Sequence, residues 1–176
     1  IHQRLHPRAE LIGVYDVDPK KSQSISKKCS NPDLSTNSLK ELIAHSDLIV
    51  EAVNAANTPE LLLDVINAKK NLLVMSIGAL LTNPLVLKTA DQLNVNVIIP
   101  SGAIAGIDAL KAAVPAGIDE ISITTYKPPR GLKGAPYITA QNIDLDAITE
   151  ETTIFEGTVS DAVKAFPQNI NVAATI

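Results

Sequence analysis

With 176 residues, 45% of them apolar and 19% charged, and a net charge of −4, the chain has the composition of a globular protein with its own core. That length holds one domain, or one domain and part of a second. The mildly acidic balance gives no electrostatic footprint for nucleic acid, and no apolar run approaches the ~18 residues of a membrane span. Aromatic residues make up only 3% and Trp is absent, so the core must rest on Val, Ile, Leu and Ala. The single cysteine, Cys29, excludes an intramolecular disulfide and fits a reducing compartment.

The opening IHQRLHPRAELIGVYD reads as the end of a helix entering a strand, and Ile1 is not an initiator. The final NINVAATI breaks off inside an apolar run, so an internal fragment is expected, and no signal peptide opens it. Residues 10–15 (ELIGVY) predict a short apolar strand ending at Asp16. Asp18-Pro19 is an N-cap with proline at the first helical position, opening a polar helix to about Cys29. A Ser/Asn/Pro linker follows, then a short helix over Leu39–His45. Residues 47–53 (DLIVEAV) predict a second strand. Thr58-Pro59 opens a helix to about Lys69, followed by a strand over 71–75. Asn83-Pro84 opens another to about Leu93, followed by a strand over 96–99. Short, weakly alternating apolar strands between such helices fit a parallel sheet covered on both faces. The expected class is α/β: a doubly wound, Rossmann-like sheet, incomplete at its N-terminus.

The character changes after residues 98–111 (IIPSGAIAGIDALK), where an apolar run reaches Pro100 and a turn of small residues precedes a helix over 107–114. Residues 120–126 (EISITTY) and 152–155 (TTIF) predict strands, and residues 160–166 a helix. These describe part of an α+β second domain. The expected division is 1–100 for the dinucleotide-binding part and 101–176 for a substrate or oligomerisation part.

In open α/β sheets ligands bind at the carboxyl ends of the strands. Asp16 ends the first strand, where a dinucleotide fold places the acid that bonds the adenine ribose. Lys20 and Lys21 keep a 2′-phosphate acceptable, so NAD and NADP both stay open, with Asp16 favouring NAD. Ala52 and the loop 54–58 (NAANT) follow the second strand, and Ser76 opens SIGA after the third. Lys127, with Arg130 and Lys133, offers cations beyond the 120–126 stretch. No residue cluster has metal-ligand spacing. His45 suits a helix end, and His2 and His6 suit the surface.

Three blocks in the same order, PSGAIAGIDALKA, TTYKPPRGLKGAPYI and FEGTVSDAVKAFPQNINVAAT, resemble signatures of the L-aspartate dehydrogenase family. The resemblance runs from about Ala9 to the end. It implies NAD- or NADP-dependent oxidation of L-aspartate to iminoaspartate, a step feeding NAD biosynthesis in the cytoplasm, by a homo-oligomer without nucleic-acid or membrane partners. By resemblance Ala103, with Gly102 beside it, and Asn169 contact the cofactor, with Asn171 a neighbouring candidate. Ala52 and Ser76 would then wall the cofactor groove, and Lys127 would bind a substrate carboxylate. The family's catalytic histidine has no counterpart, lying beyond Ile176, and its glycine-rich turn lies before Ile1, so the 176 residues alone are expected to be inactive. A homoserine-dehydrogenase-like enzyme and a non-catalytic association module are the alternatives.

Overall fold

The computed structural model describes residues 5, 7–53, 58–167 and 169–176; His2, His6 and the 54–57 part of the NAANT loop lie outside them. α1 (Pro19–Lys28) begins at its polar cap, where Asp18 Oδ1 accepts the Lys20 N–H at 3.0 Å. Lys27 and Lys28 lie at its negative end. α2 (Leu39–His45) starts in the same way, with Ser38 Oγ accepting the Glu41 N–H at 3.2 Å.

β1 (Leu48–Glu51), β2 (Asn71–Val74) and β3 (Val97–Ile98) form a parallel sheet in that order. Leu48 stands opposite Asn71, Glu51 opposite Val74, and Leu72 opposite Val97. α3 (Thr58–Asn67) connects β1 to β2, and α4 (Gly78–Thr82) and α5 (Pro84–Gln92) connect β2 to β3. Leu62, Val65 and Ile66 of α3 and Val86 and Ala90 of α5 share one core with Ile49, Leu72 and Val74. Each fully buried aliphatic side chain there contributes about 1.5–3 kcal/mol. The alternation of strands and helices in a parallel sheet is the α/β, Rossmann-like class expected.

Three expectations need correction. The sheet is covered on one face only among the described residues: Leu48, Val50, Met75 and Ile98 are exposed. Residues 10–15 do not join the sheet. Val14 makes an isolated parallel bridge with Ser35, its N–H donating to Leu34 O and its carbonyl accepting from Thr36 N. Residues 120–126 and 152–155 form no strands. Alternation marks a face to be buried but supplies no partner, and among the described residues none lies alongside.

Beyond β3 the chain turns at residues 101–106, where Gly106 takes a left-handed φ of 84° before α6 (Ile107–Ala113). α7 (Pro136–Ala140) and α8 (Val159–Ala165) enclose a second core around Ile138 and Phe166. Tyr137, Phe155 and Phe166 meet there with ring centroids 5.3–5.6 Å apart.

Candidate functional site

The carboxyl ends of β1 and β2 are tied together by Glu51, which is 1% exposed. Its Oε1 accepts the Val53 N–H at 2.7 Å and lies 2.8 Å from Ser76 Oγ. Its Oε2 accepts the Ser76 N–H at 3.0 Å and the Met75 N–H at 3.2 Å. Ser76 Oγ also donates to Val53 O at 2.7 Å. Val53 is thus held at both its N–H and its carbonyl. A buried carboxylate is costly unless charge-assisted hydrogen bonds surround it, as they do here. Sequence reading passed over Glu51 because DLIVEAV reads as a plain apolar strand. The available signal was an acid within the apolar run, four residues after Asp47 and on the same face of the alternation as Ile49.

Ser76 lies at the strand end as expected, but it is buried, its hydroxyl is engaged with Glu51 and Val53, its N–H with Glu51, and its carbonyl accepts the Ala79 N–H at 3.0 Å, so it shapes this end of the sheet with no free polar group. Two residues on, the Gly78 N–H donates to Asn171 Oδ1 at 3.2 Å. Asn171 belongs to the closing segment, whose Asn169 meets Lys127: Lys127 Nζ donates to Asn169 Oδ1 at 2.9 Å. Asn169 Nδ2 in turn donates to Gly131 O at 3.4 Å. Two separate hydrogen bonds thus tie the closing segment to the rest of the chain, Asn171 to Gly78 and Asn169 to Lys127, and Gly78 stands two residues after Ser76, which Glu51 holds.

The other candidates stand apart from these contacts. Asp16 is half-buried, and its Oδ1 accepts the Asp18 N–H at 2.8 Å; a carboxylate keeps a second oxygen for a hydroxyl. Ala52 is exposed at the end of β1. Gly102 and Ala103 are exposed in their turn, and a Cβ built on Gly102 meets nothing within 4 Å. This small-residue turn after β3 is open to solvent and leaves its backbone accessible. His45 Nδ1 lies 2.9 Å from Glu41 O within α2. Among the described residues no group of three His, Cys, Asp or Glu could hold a metal ion.

A family model described as homoserine dehydrogenase, NAD binding domain, matches residues 2–100, and one described as aspartate dehydrogenase, C-terminal, matches residues 108–176. The chain is 38% identical over 174 residues to an L-aspartate dehydrogenase of Methanococcoides burtonii, covering 97% of this chain and 64% of that protein. It is 41% identical over 172 residues to one of Nitrosopumilus maritimus, covering 96% and 63%. A crystal structure of aspartate dehydrogenase from Thermotoga maritima is similar with a TM-score of 0.62 at 26% identity, covering 80% of this chain and 55% of that one. The chain therefore spans just under two thirds of the length of these curated relatives.

Proposed function

This chain belongs to the aspartate dehydrogenase family, and on that premise we propose that it takes part in NAD(P)-dependent oxidation of L-aspartate. The division proposed is residues 1–100 for the dinucleotide and 101–176 for the substrate side. The meeting of the two family models between residues 100 and 108 supports it. When bound, the cofactor supplies the redox chemistry, accepting hydride from C2 of L-aspartate to leave iminoaspartate, which hydrolyses to oxaloacetate and ammonia. The chain's own residues bind and orient. Asp16 takes the adenine-ribose hydroxyls. Ala52, Ser76, Gly102 and Ala103 form the groove walls, with side chains too small or too occupied to obstruct it. Lys127 presents its ammonium to a substrate carboxylate while Asn169 holds that side chain from behind. The family's acid–base histidine has no counterpart in this sequence, and no step is assigned to His2, His6 or His45.

The observation that carries this reading is the link from the cofactor side to the substrate side through one short segment. Asn171 holds the Gly78 N–H, and Asn169, two residues away, holds Lys127. Hydride transfer needs two ligands positioned against each other, and a shared segment supplies that. A role in NAD biosynthesis, a cytoplasmic location and a homo-oligomeric assembly belong to the same proposal. No helix among the described residues is long and apolar enough to cross a membrane, which is compatible with that location. The test is formation of reduced nicotinamide by the full-length protein with L-aspartate and either dinucleotide. The expected result is turnover of aspartate, with NAD preferred on account of Asp16. Turnover of homoserine with none of aspartate would move the reading to the homoserine-dehydrogenase-like alternative.

A further inference from the structure

We propose that Glu51 is a positioning residue for the dinucleotide, its buried carboxylate setting where the chain leaves β1 and β2. The inference rests on the reading that this end of the sheet receives NAD or NADP. Among the described residues the hydrogen bonds of the carboxylate fall on the two departing loops: Val53 N after β1, and Met75 N, Ser76 N and Ser76 Oγ after β2. The sheet does not need it for register. Met75 N already donates to the Glu51 carbonyl at 3.0 Å in the parallel ladder, and Leu48 to Glu51 pair without the side chain. An apolar residue here would fill the same space beside α3 without desolvating a charge. What only the carboxylate does is accept from two loops at once.

The serine hydroxyl completes the clamp. Its one proton lies between Glu51 Oε1 at 2.8 Å and Val53 O at 2.7 Å, so Glu51 and Ser76 grip both polar groups of the Val53 backbone. Gly78, next along the second loop, is tied to Asn171. The clamp therefore fixes Val53 and Ser76 where the two strands end, two residues before the Gly78 N–H that meets Asn171. A pre-organised site of this kind loses affinity by ordering costs when its support is removed, even where no ligand contact is lost.

Glu51→Gln separates this role from simple core filling. One amide oxygen can still accept from Ser76 N, but the NH2 faces the Val53 N–H, donor against donor. Ser76→Ala is the milder companion, removing only the grip on the Val53 carbonyl and one acceptance at Oε1. In the full-length protein, titration with NADH followed by its fluorescence gives the dissociation constant directly, and thermal unfolding reports stability. The dissociation constant for NADH is expected to rise roughly tenfold in Glu51→Gln and about threefold in Ser76→Ala, of the order of one hydrogen bond each. The double variant is expected to lose less than the product of the two, because both act through Val53. In kinetics the loss falls on KM for the dinucleotide rather than on kcat at saturation. If Glu51→Gln does not fold, Ser76→Ala carries the test alone. Unchanged NADH affinity, within about twofold, in whichever variants fold would overturn the proposal and leave Glu51 as a structural residue. A parent protein that binds no NADH would instead overturn the dinucleotide reading itself, and the inference with it.

Discussion

Asn169 has both ends of its amide occupied: Oδ1 by Lys127 Nζ at 2.9 Å, and Nδ2 by Gly131 O at 3.4 Å. The resemblance makes it a cofactor contact, while the geometry makes it a support for the cation proposed to bind substrate. These roles separate in the variant Asn169→Ala. Loss of a charge-assisted hydrogen bond at a partly exposed pair is expected to cost about 1 kcal/mol, or roughly a fivefold rise in KM for L-aspartate. KM for the dinucleotide should rise less. The measurement is steady-state kinetics of the full-length protein with each substrate varied in turn. A change confined to the dinucleotide would return Asn169 to the cofactor alone. Lys127 was legible in the sequence as a cation after the 120–126 stretch, whereas Asn169 was legible only through the family resemblance. Their pairing was not, since it joins residues 42 apart and depends on how the closing segment folds back. Ser76 was legible by position only. Its hydroxyl turned inward because an unsuspected neighbour, Glu51, needed a donor.

At the scale of elements, four helices among the described residues end in the same motif without glycine. Ser30, Lys69, Asn94 and Asn142 take φ of 51–57°, the left-handed conformation. In each the next residue's N–H reaches five residues back, as Lys70 N to Val65 O at 3.2 Å and Val95 N to Ala90 O at 2.9 Å. This closes the last turn and satisfies carbonyls that the helix leaves open. A lysine there carries a steric cost of about 1–2 kcal/mol, which glycine removes while adding about 0.5–1 kcal/mol of unfolded-state entropy. Lys69→Gly is therefore expected to stabilise the full-length protein by about 0.5 kcal/mol, raising Tm by roughly 1–2 °C. Asn94→Gly should gain less, since asparagine tolerates this conformation. A fall in Tm for Lys69→Gly would mean that its side chain makes a contribution greater than the strain. Helix starts were easy to read because a cap is local chemistry, as at Asp18-Pro19. Asn83 shows the limit: α5 does begin at Pro84, yet Asn83 Nδ2 donates backwards to Ala79 O at 3.1 Å. The short α4 ends there, and its carbonyls compete for the same amide. Strands were harder, for the sequence of residues 120–126 states a periodicity while pairing depends on what lies alongside.

At the scale of the whole molecule the described residues form two cores, one under the sheet around Leu62, Leu72 and Val74, the other around Ile138 and the aromatic group. They communicate where α8 and the closing segment meet the start of α4. Gly78 lies at that contact: a Cβ built on it would come within 3.0 Å of Ile170 Cγ2 and 3.7 Å of both Val163 Cγ1 and Asn171 Oδ1. The absence of a side chain here lets the closing segment lie close against the backbone and take the Gly78 N–H. Alanine would ask its neighbours to move by only a few tenths of an ångström and would gain helix propensity, so Gly78→Ala should stay within about 1 kcal/mol of the parent. A branched side chain meets Ile170 and Val163 together. Gly78→Val is expected to destabilise the full-length protein by about 1–3 kcal/mol, the usual cost of overpacking. At this size each kcal/mol lowers Tm by roughly 2–4 °C. Because Asn171 and Asn169 share one short segment, the displacement should also reach Lys127 and raise KM for L-aspartate, although residue 78 itself stands on the proposed cofactor side. Thermal unfolding and steady-state kinetics on the same preparation decide the matter. A lowered Tm with KM for aspartate unchanged would show that the contact stabilises the molecule without coupling its two sides, and the site would then have to be positioned by some other join.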